Sequence, residues 1–469
     1  MNRLKKLAIG LAALGLPLIS AAQPNDTYYL GEGSWGQSYP DQWAIKAVGM
    51  DNAQSVWASL GTDPAEVVVA VIDTGLDWNH ADLSWDSLWR NEDEIPDNGV
   101  DDDGNGFVDD VIGWNFFGHN NKPWDHDGHG TFVTGIINAD TNNEKGIAGI
   151  NPHARIMVLK AINNFGHSRA SYLSQALYYA TDNGAQIVNM SVGGKGLTPL
   201  EQKAVDYAVS KGVLIIVAAG NEAVATEEFG IAGLENVLTV AATGTDGKRV
   251  SFSNWGEAVD VAAPGVDVLS LRARRTDFLA GSPDIEYEEG AAYVGDDNRY
   301  YRASGTSFSA PIVTGIASLL LSKDPSLSWE DLHRILTQSA RDVGTPGIDQ
   351  YTGYGLVDID AALAADKGFF IDAAIDDVQI VADAGGQAVE VLGTANADRL
   401  LSADLFLGPG EEPTDWKPVG NELTDAVIEG ALGRIPAVEF AGSPIWTVRL
   451  VTTHADGQTR EARYQIDLE

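Results

Sequence analysis

Ser307 lies in Ser304-Gly305-Thr306-Ser307-Phe308-Ser309-Ala310-Pro311, a small turn that runs straight into the apolar stretch Ile312 to Leu321. That pattern predicts a buried helix with a hydroxyl at its mouth, where amides are unpaired and the dipole favours negative charge. An alcohol so placed becomes a nucleophile once a base takes its proton. Such chemistry also needs a carboxylate to orient the base and a donor for the oxyanion. Three polar positions stand out elsewhere. Asp73 ends a β-branched run, His129 lies in Asp127-Gly128-His129-Gly130-Thr131 ahead of a helix-like run, and Asn221 follows Val213 to Gly220. A fourth segment, Ser191-Val192-Gly193-Gly194, also follows an apolar run.

The elements that must carry these residues are legible as alternating patterns. Glu66 to Ile72 is an apolar run suited to a strand buried on both faces. Similar runs recur at Arg155 to Lys160, Gln186 to Val192, Val213 to Ala219, Val237 to Ala242 and Val259 to Ala262. Helical patterns at Ser171 to Asp182 and Thr198 to Lys211 separate several of them. Alternation of this kind predicts an α/β fold, a mostly parallel sheet covered by helices on both faces. The polar residues then gather at the carboxyl ends of the strands, where such sheets place their sites.

The chain has 469 residues, no cysteine, and 67 acidic against 30 basic residues, a formal net charge of −37. The length allows two or three domains. Thiol chemistry and disulfides are excluded, and the acidity excludes a nucleic-acid partner. Residues 1–22 read as an export signal: a basic start, the apolar Leu7 to Ile19, and small Ser20-Ala21-Ala22. That stretch is too short to span a bilayer, so the expected product is secreted, extracellular or periplasmic, without membrane insertion.

The segments around Asp73, His129, Asn221 and Ser307, in that order, resemble the four signatures of the subtilisin-like serine peptidases, the subtilases. Phe252 to Gly256, Val259 to Gly265 and Gly353 to Asp358 resemble further family segments, so the likeness runs from Gln42 to Leu363. The resemblance implies a secreted serine endopeptidase acting on protein or peptide substrates through an acyl-enzyme. Ser307 would be the nucleophile, His129 the base, Asp73 its orienting carboxylate, and Asn221 a side-chain donor to the oxyanion. Ser191, Val192 and Gly193 match the edge that pairs with an extended substrate. Two alternatives stay open, an inactive binding protein on the same fold and a narrow processing protease. Glu222 and Glu227-Glu228 lie near the expected primary pocket, either favouring basic side chains or simply adding surface acidity. Phe132, Phe308 and Ile312 depart from residues common in relatives. The segment Arg274 to Arg302 is longer than in small relatives and reads as a surface loop or hairpin.

Calcium is the expected cofactor, in a structural role. Asp101-Asp102-Asp103-Gly104-Asn105-Gly106-Phe107-Val108-Asp109-Asp110 sets oxygen side chains at positions one, three and five around a turn glycine. Ile112 stands where an EF-hand has its glutamate, so Asp109 or Asp110 closes the site instead. The candidate ligands are Asp101, Asp103, Asn105, Phe107, Asp109 and Asp110. Asp82 and Asn143 match the positions of a second calcium site in some relatives. Gln23 to Pro64 is too short for the folding propeptide of most secreted subtilases, and folding without one is expected. Signal 1–22 and catalytic domain 23–368 are followed by 369–469, where Val378/Ile380, Leu405/Leu407, Trp446/Val448/Leu450 and Tyr464/Ile466/Leu468 alternate at strand period. With Asp456-Gly457 as a hairpin turn, that region reads as a small β-sandwich of immunoglobulin or fibronectin type.

Overall fold

A computed structural model describes residues 23–274, 276, 292–383 and 386–468. The expected export signal and residues 275 and 277–291 lie outside the described residues. Three short helices, α1 (Thr27–Leu30), α2 (Trp43–Lys46) and α3 (Ala53–Ser59), precede a seven-stranded sheet. Its strands are β1 (Val67–Asp73), β2 (Gly113–Asn115), β3 (Ala154–Lys160), β4 (Ile187–Met190), β5 (Leu214–Ala218), β6 (Leu238–Thr243) and β7 (Val261–Pro264). Their spatial order is β2-β3-β1-β4-β5-β6-β7, and every pairing is parallel.

The strand period of two explains why these runs are apolar throughout. In β1, Val67, Val69 and Val71 enter one buried cluster while Ala70 and Ile72 enter the other. In β5, Leu214 and Ile216 face the first and Ile215 and Val217 the second. The first cluster is roofed by α4 (His129–Asn138) and α7 (Thr306–Lys323), through Phe132, Ile136, Ile312 and Ile316. The second is roofed by α5 (Ala170–Asp182) and α6 (Pro199–Ser210), through Leu177, Ala180, Ala204 and Val205. Thr198 and Glu201 close α6 with a capping box.

A second small sheet follows, with β8 (Val268–Leu271), β9 (Tyr293–Val294) and β10 (Tyr300–Ala303) in the order β8-β10-β9. The described end of the long segment is therefore a hairpin, since β9 and β10 pair antiparallel. Helices α8 (Trp329–Gln338) and α9 (Ile359–Ala364) then lead into the C-terminal region.

That region is antiparallel throughout. Strands β11 (Ile371–Asp383), β12 (Gly386–Ala397) and β15 (Val427–Pro436) form one sheet. Strands β14 (Lys417–Leu423), β13 (Leu400–Pro409), β16 (Ile445–His454) and β17 (Thr459–Asp467) form the other. Val391, Leu405, Leu407, Leu432, Val448 and Leu450 make a buried core of their own, as a sandwich requires. Ile380 breaks the expected alternation. The β11–β12 register shifts between Ile375 and Asp377, and Ile380 ends 76% exposed. Arg460 of β17 joins the two regions, stacking over the Tyr354 ring at 4.7 Å and donating to the Gln338 carbonyl at 3.2 Å. A cleft of 580 Å³ opens at this junction, lined by Gln338, Asp342, Phe369, Arg399 and Arg460 among others.

Candidate active site

Strands β1, β4 and β5 are neighbours, so Asp73, Ser191 and Asn221 emerge side by side at the carboxyl edge of the sheet. The fourth residue arrives on α7. Its chain turns at Gly305, and Ser307 falls in the first helical turn. The Ser307 N–H there has no intrahelical carbonyl to bond.

Pro311, inside the same helix, has no N–H to give back to the Ser307 carbonyl. Ser191 supplies the substitute: its Oγ donates to that carbonyl at 2.8 Å. Ser191 Oγ in turn accepts from Asn189 Nδ2 at 2.9 Å, and Asn189 Oδ1 accepts from Thr314 Oγ1 at 2.9 Å. The end of β4 and the start of α7 are thus stitched together beneath Ser307. The Ser307 hydroxyl donates to the Ser191 carbonyl at 3.1 Å.

Asn221 is held by its carbonyl oxygen. Oδ1 accepts from Thr306 N at 2.8 Å and Thr306 Oγ1 at 3.1 Å. With that oxygen occupied, Nδ2 of the exposed Asn221 is left as a donor on the side of the helix start.

The helix α4 meets β1 closely. A Cβ on Gly130 would stand 2.3 Å from the Gly75 carbonyl and 3.2 Å from Asp73 Cβ, so only glycine allows the approach. His129, the first residue of α4, therefore reaches Asp73: Nδ1 lies 2.9 and 3.0 Å from its two oxygens. Thr74 N also donates to Asp73 Oδ1 at 2.7 Å. Asp125 fixes the entry to α4, accepting from Thr74 Oγ1, Asp127 N, Gly128 N, Thr131 N and Thr131 Oγ1. The His129 ring rests 5.5 Å from that of Phe308, next to Ser307, and Phe308 packs on Phe132 at 4.4 Å.

Burial opposes a charge on His129, yet the Asp73 carboxylate, with Asp127 and Asp125 nearby, prevails and pushes its pKa up to about 9. Burial raises Asp127 to about 6. All four polar residues singled out by sequence thus lie around one end of the sheet. Sequence reasoning missed Asp125, Thr74, Asn189 and Thr314, whose roles depend on contacts between distant segments. The Asp125-x-Asp127-Gly128 turn preceding His129 was the one available signal.

The acidic loop gathers Asp101 and Asp103 with Glu94, which sequence reasoning also missed; their oxygens lie within 4.8 Å of one another. Glu94 is buried and accepts from Asp102 N and Asp109 N. Burial raises Asp103, but hydrogen bonds from Asn91 and Asn105 outweigh it and hold the carboxyl below its usual range. Three close carboxylate oxygens are the hard donors calcium takes, and the cluster fits that ion. Asn105 donates through Nδ2 to Asp103 and Asp110, while its Oδ1 accepts from Phe107 N. Asp109 is turned to other partners, while Asp110 stays beside Asp103, both accepting from Asn91 Nδ2 and Asn105 Nδ2. Asp109 oxygens accept from Asn98 N and Gly99 N, and Asp110 accepts from Tyr179, Asn105 and Asn91.

Asp82 and Asn143 do meet: Asn143 Nδ2 donates to Asp82 Oδ1 at 2.7 Å, and Ile147 N to Oδ2 at 2.9 Å. Asp26 is buried beside them, accepting from Asn142 N and Asn143 N. Burial, with the charges of Asp26 and Asp140, raises Asp82 to about 7.

Comparisons with known proteins bear on the family of the chain. A profile of the subtilase family matches residues 65–355. The chain is 33% identical over 338 residues to a thermophilic serine proteinase of Bacillus sp. (strain AK1), a match covering 72% of this chain and 68% of that one. Fervidolysin of Fervidobacterium pennivorans is 33% identical over 339 residues, 68% of this chain and 43% of its own length. A protease structure from Pseudoalteromonas arctica superposes with a TM-score of 0.54 at 27% identity, over 73% of this chain and 99% of that one. Its sheet, its helix-borne serine and its relatives point the same way, and the chain belongs to the subtilase family of subtilisin-like serine endopeptidases.

Proposed function

We propose that Asp73, His129, Ser307 and Asn221 are the catalytic residues of a secreted endopeptidase that cleaves protein or peptide substrates. The observation that carries this reading is the two-pronged contact of Asp73 with His129 Nδ1, at 2.9 and 3.0 Å. It fixes the tautomer that leaves Nε2 to act as the base. The Ser307 proton, here directed at the Ser191 carbonyl, is redirected to His129 as Oγ attacks the scissile carbonyl carbon. The resulting oxyanion is received by Asn221 Nδ2 and the Ser307 amide. His129 then passes its proton to the leaving amine, and water releases the acyl group by the same steps.

The substrate strand pairs with Ser191, Val192 and Gly193. Calcium would be held by Glu94, Asp101 and Asp103; Asp82 and Asn143, the expected second site, meet instead through the Asn143 Nδ2 donor, and no second carboxylate cluster forms there among the described residues. The ion would supply charge neutralisation that ties this loop to the body. Residues 23–368 are the catalytic domain and 369–469 a separate sandwich, with 1–22 directing export.

Ser307→Ala should lower kcat about 10⁶-fold. Asn221→Ala should cost about 2.7–4 kcal/mol in kcat with KM little changed. Casein and defined peptides, assayed with wild type and both variants, test this. A Ser307→Ala protein with wild-type turnover would end the assignment.

A further inference from the structure

We propose that the pocket for the residue preceding the scissile bond is filled by Phe229, so that the enzyme selects small side chains there, alanine or serine, over aromatic, branched or basic ones. The inference rests on the catalytic reading above and deepens it. With the acyl carbon at Ser307 and the substrate strand along residues 191–193, that side chain enters between two segments. One follows β4 at Ser191 to Gly194; the other follows β5 at Ala219 to Asn221.

The edge of the Phe229 ring occupies this gap. A Cβ built on Gly193 would stand 2.4 Å from Phe229 Cε1. One built on Gly220 would stand 2.5 Å from the same atom and 2.8 Å from Cζ. A single ring edge therefore touches both walls, and both walls are glycine where it touches them. Phe229 is only 4% exposed and belongs to the apolar cluster that includes Val217, Ile231 and Ala232.

The ring is also firmly held. Phe229 N donates to the Thr226 carbonyl at 2.8 Å, and Gly196 N to the Glu228 carbonyl at 3.1 Å. Thr226 N donates to the Trp255 carbonyl at 2.8 Å. A Cβ on Gly230 would meet the Gly194 carbonyl at 2.8 Å, so the loop lies flat under the substrate edge. Moving Phe229 aside would break this packing.

Two of the acidic residues near the gap are hydrogen-bonded within the protein, and the lysine peptide below tests whether their charge draws a basic side chain. Glu222 Oε2 accepts from Asn221 N at 2.7 Å and Asn254 Nδ2 at 3.3 Å. Glu227 Oε1 accepts from Glu257 N at 2.7 Å. Both carboxylates are engaged with the protein itself.

The test compares peptides that differ only at the residue before the cleaved bond: alanine, serine, leucine, phenylalanine or lysine. For wild type, kcat/KM should favour alanine or serine over the other three by about tenfold or more. Phe229→Ala should move the phenylalanine-to-alanine ratio upward by at least about tenfold, and Phe229→Leu by less, in that order. Ratios within one preparation cancel any loss of folded enzyme, and Phe229→Leu carries the comparison should the alanine variant not fold. Wild-type preference for phenylalanine, leucine or lysine would overturn the pocket while leaving the peptidase intact. So would an unchanged ratio in both variants. Absence of turnover on every peptide, with wild type matching Ser307→Ala, would instead remove the peptidase reading and the pocket with it.

Discussion

As the proposed base, His129 would act only when neutral, and its surroundings work against neutrality. Asp73 at 2.9 Å, with Asp127 and Asp125 behind, raises its pKa from 6.5 to about 9. The base form grows as pH rises, so kcat/KM should climb through an apparent pKa well above 6.5. The imidazolium–carboxylate pair contributes stability that is full below 6.5 and lost as pH rises through about 9. Activity is thus gained over the window in which this stabilisation fades. Asp73→Asn should lower the apparent pKa toward the ordinary value and cut kcat about 10⁴-fold. A pH–rate profile whose lower limb lies at or below 6.5 in wild type would contradict the electrostatic account. At this scale the chemistry was legible because each of Asp73, His129, Asn221 and Ser307 carries a short local pattern, a strand end or a helix start. Phe229 and Glu94 carry none, and Asp125 only the turn ahead of His129. Their significance comes from what distant backbone approaches them, which no spacing along the chain encodes.

Among elements, the buried strands were readable for the same reason they are stable. A strand covered on both faces is apolar at every position, and β1, β3 and β5 fall within a residue or so of the expected runs. The three-residue β2, Gly113–Asn115, was too short to show a period. The hairpin β9–β10 was expected only as a loop or hairpin. Loop 101–110 was visible as an acidic run, but backbone amides of Asn98 and Gly99 take up Asp109, and Glu94, outside that run, joins Asp101 and Asp103 instead. That arrangement makes a prediction about stability. Three carboxylates within 4.8 Å repel one another without a cation. At a hundredfold excess over its Kd, calcium should add about 2.7 kcal/mol. A chelator should therefore lower Tm by several degrees, and added calcium should restore it. In Glu94→Gln/Asp103→Asn the calcium-dependent part should shrink. A chelator-insensitive Tm in wild type would refute the site.

The whole molecule is a strongly acidic chain whose sandwich has its own core and is docked through Arg460 onto Tyr354 and Gln338. Among the described residues, no helix is long and apolar enough to cross a membrane. A further property follows from where the sulfur lies. The sequence has no cysteine, and Met50, Met157 and Met190 are fully buried within the cores. The neighbour of Ser307 is Phe308, its ring set against His129 and Phe132, where a thioether would be open to conversion to the bulkier, polar sulfoxide. Peroxide consequently finds no soft atom in the residue that follows Ser307. Wild type should keep its turnover in peroxide that progressively silences Phe308→Met, and equal losses in the two would show that the damage strikes elsewhere. The ring at position 308 thus leaves the residue after Ser307 without an oxidisable sulfur.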